Sequence, residues 1–304
     1  MARHVKKDWV TVQWVLVCLS LLAGLALIGA ANLREERKGL AGVQPVEPGA
    51  GKQESVEGSG QPDRQNRPGE GEPDRRPRLV LIIDDVGFSL SAARDLAGMK
   101  VPLTWSIIPY QSHSLSALKL AKEHGIPVML HLPMEAEVDR PGLKYQINLE
   151  MDGDAVRGFV RRALKSLPGV VGVNNHRGSR ATSTPRIMGP VLAEIKEQGL
   201  IFVDSRTSGK SVAFRMASEM KVPTLRNEVF LDHEANADEM KKALERAFSI
   251  ARKQGIVVVI GHARPDTLKF LKTLSESKPG DVKWTTVPDA IRRTPGPSQG
   301  GMTQ

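Results

Sequence analysis

With one cysteine in 304 residues, the chain has no means of forming an intrachain disulfide. Cys18 sits inside an apolar stretch, and Val17 stands where a lipoprotein cleavage site needs a small residue. Aromatic residues are scarce at 4%, and no basic run is interleaved with them, which leaves nucleic-acid binding by stacking unsupported. The formal net charge of +9 points instead to anionic surfaces such as phospholipid or cell-wall polymers. No Gly-x-Ser-x-Gly elbow is present, so a serine hydrolase of that type is excluded. The SGKS run at Ser208 to Ser211 is similar to the end of a phosphate loop, but Asp204 stands where a Walker motif needs glycine. A nucleotide is therefore not an expected partner. No repeat of fixed length occurs, which excludes a solenoid. Charge is also missing from Val10 to Ala31, and that absence is informative.

An uncharged run of this length suits a helix crossing the hydrocarbon core. Residues 1–9 carry Arg3, Lys6 and Lys7, which holds them on the cytoplasmic side and exports the remainder of the chain. Trp9 and Trp14 suit the membrane interface. Residues 10–31 are thus expected to be an inner-membrane anchor or a signal peptide cleaved near Gly29-Ala30-Ala31, and both place the domain in the periplasm. Residues 32–77 turn to Gly, Pro, Glu, Gln and Arg with almost no large apolar side chain, the composition of a disordered linker. Residues 294–304 have the same character.

Residues 78–293 remain for a folded domain, and there the pattern alternates. Strand-like runs are expected at Leu79 to Ile83, Leu103 to Ile108, Pro127 to Leu130, Val170 to Val173, Leu200 to Val203, Glu228 to Leu231, Ile256 to Ile260 and Val282 to Val287. Helices are expected between them, at Ser89 to Gly98, Ser112 to His124, Asp152 to Leu167, Pro185 to Gln198, Ala237 to Gln254 and Pro265 to Ser277. Three helices end in a glycine stop, KEHGIP, KEQGLI and RKQGIV, each leading into a strand. Such alternation implies a parallel α/β sheet with right-handed crossovers, and the number of units suits a closed or nearly closed (β/α) barrel.

Chemistry gathers at the strand ends. LVLII runs into Asp84 and Asp85, PVML into His131, VVGVNN into His176, LIFV into Asp204, EVFL into Asp232 and His233, and IVVVIG into His262. In a parallel barrel these ends converge on one edge, so the recurrence reads as a single site. If strand conformation persists through Asp84 and Asp85, their side chains face opposite ways, one free to hold a metal and the other to act as a base. Glu135, four residues after His131, is a further ligand candidate or a helix-start charge. The polar run Asn174 to Ser179 adds His176 as a ligand and Asn175 and Ser179 as groups for substrate. One Asp and two His with an open position form a catalytic zinc set, with His262 available as a general acid. Asp204 is a candidate for ligation or for orienting a ligand, and Arg180 for pairing with a carboxylate at the site.

In order, IIDDVG, LHLPME, NNHRGSR, FVDSRTS and IGH resemble the divergent polysaccharide deacetylases, a branch of the NodB-like carbohydrate esterases. The resemblance implies a distorted (β/α) barrel and metal-dependent removal of acetyl groups from a polysaccharide. It makes Asp84 the base, Asp85 and His131 metal ligands and His262 the acid. The second metal histidine usual in the main NodB-like family, four residues after the first, is Glu135 here, so the resemblance implies that either Glu135 or His176 completes the set. Three readings stay open: a tethered hydrolase of an acetylated cell-envelope polysaccharide, a glycan-binding or envelope-assembly protein without turnover, or a metal enzyme that cleaves another bond, as an amidase or phosphoesterase does.

Overall fold

The computed structural model describes residues 74–139, 145–274 and 280–292. The expected membrane segment, most of the linker and the C-terminal tail lie outside them. Among the described residues no helix is long and apolar enough to cross a membrane.

Nine strands alternate with eight helices among these residues. β1 (Arg78–Val86) leads to α1 (Leu90–Ala97), β2 (Thr104–Ile107), α2 (Ser114–Glu123) and β3 (Val128–Met134). α3 (Gly153–Ser166), β4 (Gly172–Arg177), α4 (Pro185–Glu197), β5 (Ile201–Asp204), α5 (Ala213–Glu219) and β6 (Thr224–Arg226) come next. The remainder is β7 (Val229–Phe230), α6 (Ala237–Gln254), β8 (Ile256–His262), α7 (Pro265–Leu274), β9 (Lys283–Thr285) and α8 (Val287–Arg292). α5 and β6 are not legible as elements in the sequence, because seven and three residues carry too little periodicity. The run expected as a strand from Val282 to Val287 instead gives three strand residues and then turns into α8.

Every ladder is parallel, in the order β6-β5-β4-β3-β2-β1-β8-β7, with β9 also on β1. No ladder joins β6 to β7 among the described residues, so the barrel is open there. Asn227 and Glu228 bridge the gap covalently: Asn227 N–H donates to Asp204 C=O (2.8 Å) and Glu228 N–H to Val258 C=O (3.1 Å).

Local chemistry sets the element ends. Asp152 and Asn236 cap α3 and α6 by accepting from Ala155 and Glu239 N–H. Pro185 starts α4, where no N–H is needed. The glycine stops Gly125, Gly199 and Gly255 all take left-handed φ (64°, 65° and 81°).

Side-chain parity then organises the interior. Leu79, Leu81 and Ile83 face the helices, while Val80 and Ile82 join Met129, Val203, Val258 and Ile260 inside the barrel. Val287 and Ala290 of α8 pack on this inner cluster at the N-terminal end, tied down by Val287 N–H to Thr104 Oγ1 (3.0 Å). Continuing each inner row by two residues toward the strand C-termini gives Asp84, His131 and His262, so the apolar interior ends in a polar layer.

Candidate metal and catalytic site

β1 does not keep its parity to the end. Its register with β2 shifts between Ile83 and Val86, and Asp85 takes φ 60°. The opposite facing expected of Asp84 and Asp85 is therefore corrected: both carboxylates reach His131. Asp84 Oδ2 lies 3.6 Å and Asp85 Oδ1 3.4 Å from His131 Nε2. Gly87, at φ 119°, lets the chain turn off the strand at once, and a Cβ there would meet Ser114 Oγ at 3.0 Å.

His176, at the end of β4, completes a triangle. Its Nδ1 lies 3.1 Å from both Asp85 Oδ1 and His131 Nε2. Among the described residues, Asp85, His131 and His176 are the cluster able to hold a metal ion. Asp85 Oδ1 is buried and accepts no hydrogen bond, although it is flanked by two imidazole nitrogens. Edges of 3.1 to 3.4 Å match the spacing of about 3.3 Å between ligands on a tetrahedral ion with bonds near 2.0–2.1 Å. The donor set and its orphaned oxygen thus fit a divalent ion. Burial works against the Asp85 charge, but the adjacent His131 and His176 outweigh it and hold the carboxyl well below its usual range. Burial likewise opposes charge on His131, and Asp84 and Asp85 override it to raise the imidazole in the metal-free protein.

Asn174, fully buried and two residues before His176, holds the layer together. Its Oδ1 accepts from His131 Nδ1 (3.0 Å) and from Ser106 Oγ, and its Nδ2 donates to Asp84 Oδ1 (2.8 Å) and Ser205 Oγ (3.2 Å). His131 is thereby fixed with Nε2 free toward the triangle. On the other side of β1, Asp232 organises His262. Its Oδ1 accepts from His262 Nδ1 (2.8 Å), and its Oδ2 accepts from His262 N–H (2.8 Å) and Thr267 Oγ1 (2.6 Å). Burial disfavours charge on His262, yet Asp232 and the more distant Asp84 and Asp85 raise its pKa overall. The same bonds hold Asp232 low against its own burial.

A family model described as divergent polysaccharide deacetylase matches residues 81–290. The chain belongs to this family. An uncharacterised protein of Haemophilus influenzae (KW20 Rd) is 32% identical over 210 residues, covering 68% of this chain and 74% of that protein. Uncharacterised protein YibQ of Escherichia coli K12 is 30% identical over 205 residues, covering 67% of this chain and 64% of its own length. The crystal structure of Agrobacterium tumefaciens C58 protein ATU2773 has the same fold, with TM-score 0.68 at 19% identity over 72% of this chain and 91% of that one.

Within this deacetylase domain several residues singled out in the sequence stand away from the triangle. Glu135, a ligand candidate in the sequence, is occupied otherwise: Arg180 donates to Oε1 (2.9 Å) and Leu149 N–H to Oε2 (2.8 Å). Arg180 thus serves Glu135 and holds no metal-site carboxylate. Asp204 has outward parity, opposite to Val203, and accepts from Ser211 Oγ (2.8 Å) and from the N–H groups of Phe214 and Arg206, which fixes the turn into α5. Asn175 is outward for the same reason, and its amide braces the backbone at Arg177 and Ser205. Ser179 Oγ accepts from Glu137 N–H, joining two loops. The sequence placed Asn174 and Asp232 on this edge but gave neither a role. The available signal was parity and adjacency: Asn174 lies in the same inward row as His176, and Asp232 follows β7, the strand next to the one carrying His262.

Proposed function

We propose that this deacetylase-family protein is an exported, membrane-tethered, metal-dependent hydrolase that removes acetyl groups from a cell-envelope polysaccharide. The observation that carries the reading is the Asp85–His131–His176 triangle, with the Asp84 carboxylate, bonded through one oxygen to Asn174, beside it and one carboxylate-held histidine across β1. Asp85, His131 and His176 would hold a divalent ion, with zinc as the first candidate, which would supply water activation and carbonyl polarisation. Asp84 Oδ1 is taken by Asn174, which leaves Oδ2 free to act as the base toward the attacking water. His262, held through Nδ1 by Asp232, presents Nε2 to deliver a proton to the departing amine or hydroxyl as the acetyl carbon–heteroatom bond breaks. Water and the acetylated sugar thus become acetate and the free sugar group. Export and tethering rest on the uncharged run of residues 10–31 behind Arg3, Lys6 and Lys7, and the periplasmic placement is part of the proposal.

Full-length protein loaded with zinc should release acetate from acetylated envelope glycan with many turnovers, and His262→Ala should lower kcat roughly 10²- to 10⁴-fold. Acetate release unchanged in both Asp84→Asn and His131→Ala would sink the hydrolase reading. A glycan-binding role without turnover would then be the survivor.

A further inference from the structure

Among the described residues the exposed large hydrophobic side chains are Phe88, Tyr110, Leu115, Val138 and Tyr145. All five lie on segments leaving the C-terminal ends of β1, β2 and β3. Isolated surface apolar groups need no explanation, but their confinement to one arc of the rim that holds the metal triangle does. Backbone strain picks out the same rim. Of the five non-glycine residues with positive φ among the described residues, four stand at or just beyond strand C-termini: Asp85, Tyr110 (65°), Arg177 (57°) and Arg206 (51°). Left-handed φ disfavours any residue with a Cβ, and Asp85 is accounted for by the triangle. Tyrosine and arginine at positions whose backbone suits glycine point to side chains that are used.

The arginines also differ in their engagement. Arg177 is bonded to Asp139 and Arg180 to Glu135. Arg206 and Arg264 are exposed, and neither lies within 4.0 Å of a carboxylate among the described residues. Arg206 comes directly after Ser205, whose Oγ touches Asn174, and Arg264 is two residues beyond His262. The two guanidinium groups therefore stand on the arc from β5 round to β8, and the aromatic groups stand on the arc from β1 to β3.

We propose that this rim selects an acidic glycan, with Tyr110 and Phe88 stacking on sugar-ring faces and Arg206 and Arg264 pairing with oxyanion substituents. The inference rests on the glycan-deacetylase reading and adds the substrate class. Carboxylate and phosphate share the hydrogen-bond-accepting chemistry that a guanidinium grips with two donors. The chain's net charge of +9 is complementary to such a polymer.

The test is calorimetric binding to the full-length protein of three N-acetylated hexosamine oligomers of equal length: one neutral, one carrying carboxylates and one carrying phosphates. An acidic oligomer should bind about tenfold or more tightly than the neutral one, and R206A/R264A should lose that preference. The arm that loses most in R206A/R264A identifies the oxyanion. Tyr110→Gly should weaken all three roughly fivefold while its thermal midpoint stays level or rises, because glycine relieves the strained φ. Equal affinity for neutral and acidic oligomers, or a double variant that keeps the preference, overturns the acidic class. Undiminished binding by Tyr110→Gly overturns the stacking platform. Binding is read without turnover, so selective binding without acetate release sinks the hydrolase reading alone. Acetate release with no charge preference sinks this one alone.

Discussion

Asn174 and Asp232 stand outside the Asp85–His131–His176 triangle, yet each decides how a histidine stands. Asn174 accepts from His131 Nδ1–H and donates to Asp84, so its removal frees both the ring and the carboxylate. Asn174→Ala is expected to weaken zinc binding about 10- to 100-fold, read by competition with a chromogenic chelator. Asp232 acts through protonation. Its charge and hydrogen bond raise His262, and His262 must be protonated to act as an acid, so activity falls as pH rises through that raised pKa. In Asp232→Asn the falling limb of the acetate-release profile should move to lower pH. The pair also contributes to stability with a fixed sign: the His262 share is complete below the unfolded value near 6.5 and is lost as pH rises through the folded value. Urea midpoints of wild type and Asp232→Asn should accordingly converge at alkaline pH.

At the scale of elements, β1 trades regularity for a second carboxylate. One extra residue between Ile83 and Val86 and a left-handed Asp85 turn an outward position inward. Asp85→Gly suits that backbone and removes the ligand. The increase in thermal midpoint on adding zinc should vanish in this variant. A second element-level feature lies on the outer layer, where Glu194 of α4 is fully buried between Arg157 and Arg161 of α3. Replacing both arginines by alanine strands that carboxylate. A loss of about 2 kcal/mol in a urea titration is expected, below the full cost of a broken buried pair because Arg161 is largely exposed.

For the molecule as a whole, an ion in the triangle would couple metal binding to folding. Asp85, His131 and His176 come from β1, β3 and β4, so an ion held by all three would tie those strand ends together. Zinc at about 100 times its Kd should stabilise the domain by about 2.7 kcal/mol. Differential scanning calorimetry with and without chelator reads this directly, and His176→Ala should abolish the difference. The open seam between β6 and β7, bridged by Asn227 and Glu228, places the least supported part of the barrel on the β5-to-β8 arc that carries Arg206 and Arg264.

The order of strands and helices, their glycine stops and the edge where chemistry collects were all written locally, in periodicity, capping and the residue that ends each apolar run. Those signals act over a few residues and survive without knowledge of the partner strand. The tertiary structure decided which candidates share a face. Parity sent Asp204 and Asn175 outward and kept Asn174 and His176 inward, while the irregularity in β1 brought Asp85 in against its parity. It also decided between Glu135 and His176, because Arg180, 45 positions along the chain, reaches back to claim Glu135. Distances of about 3 Å between residues 45 to 90 positions apart come from strand register and barrel curvature. No local pattern encodes them, so the site's membership was fixed only when the strands closed around it.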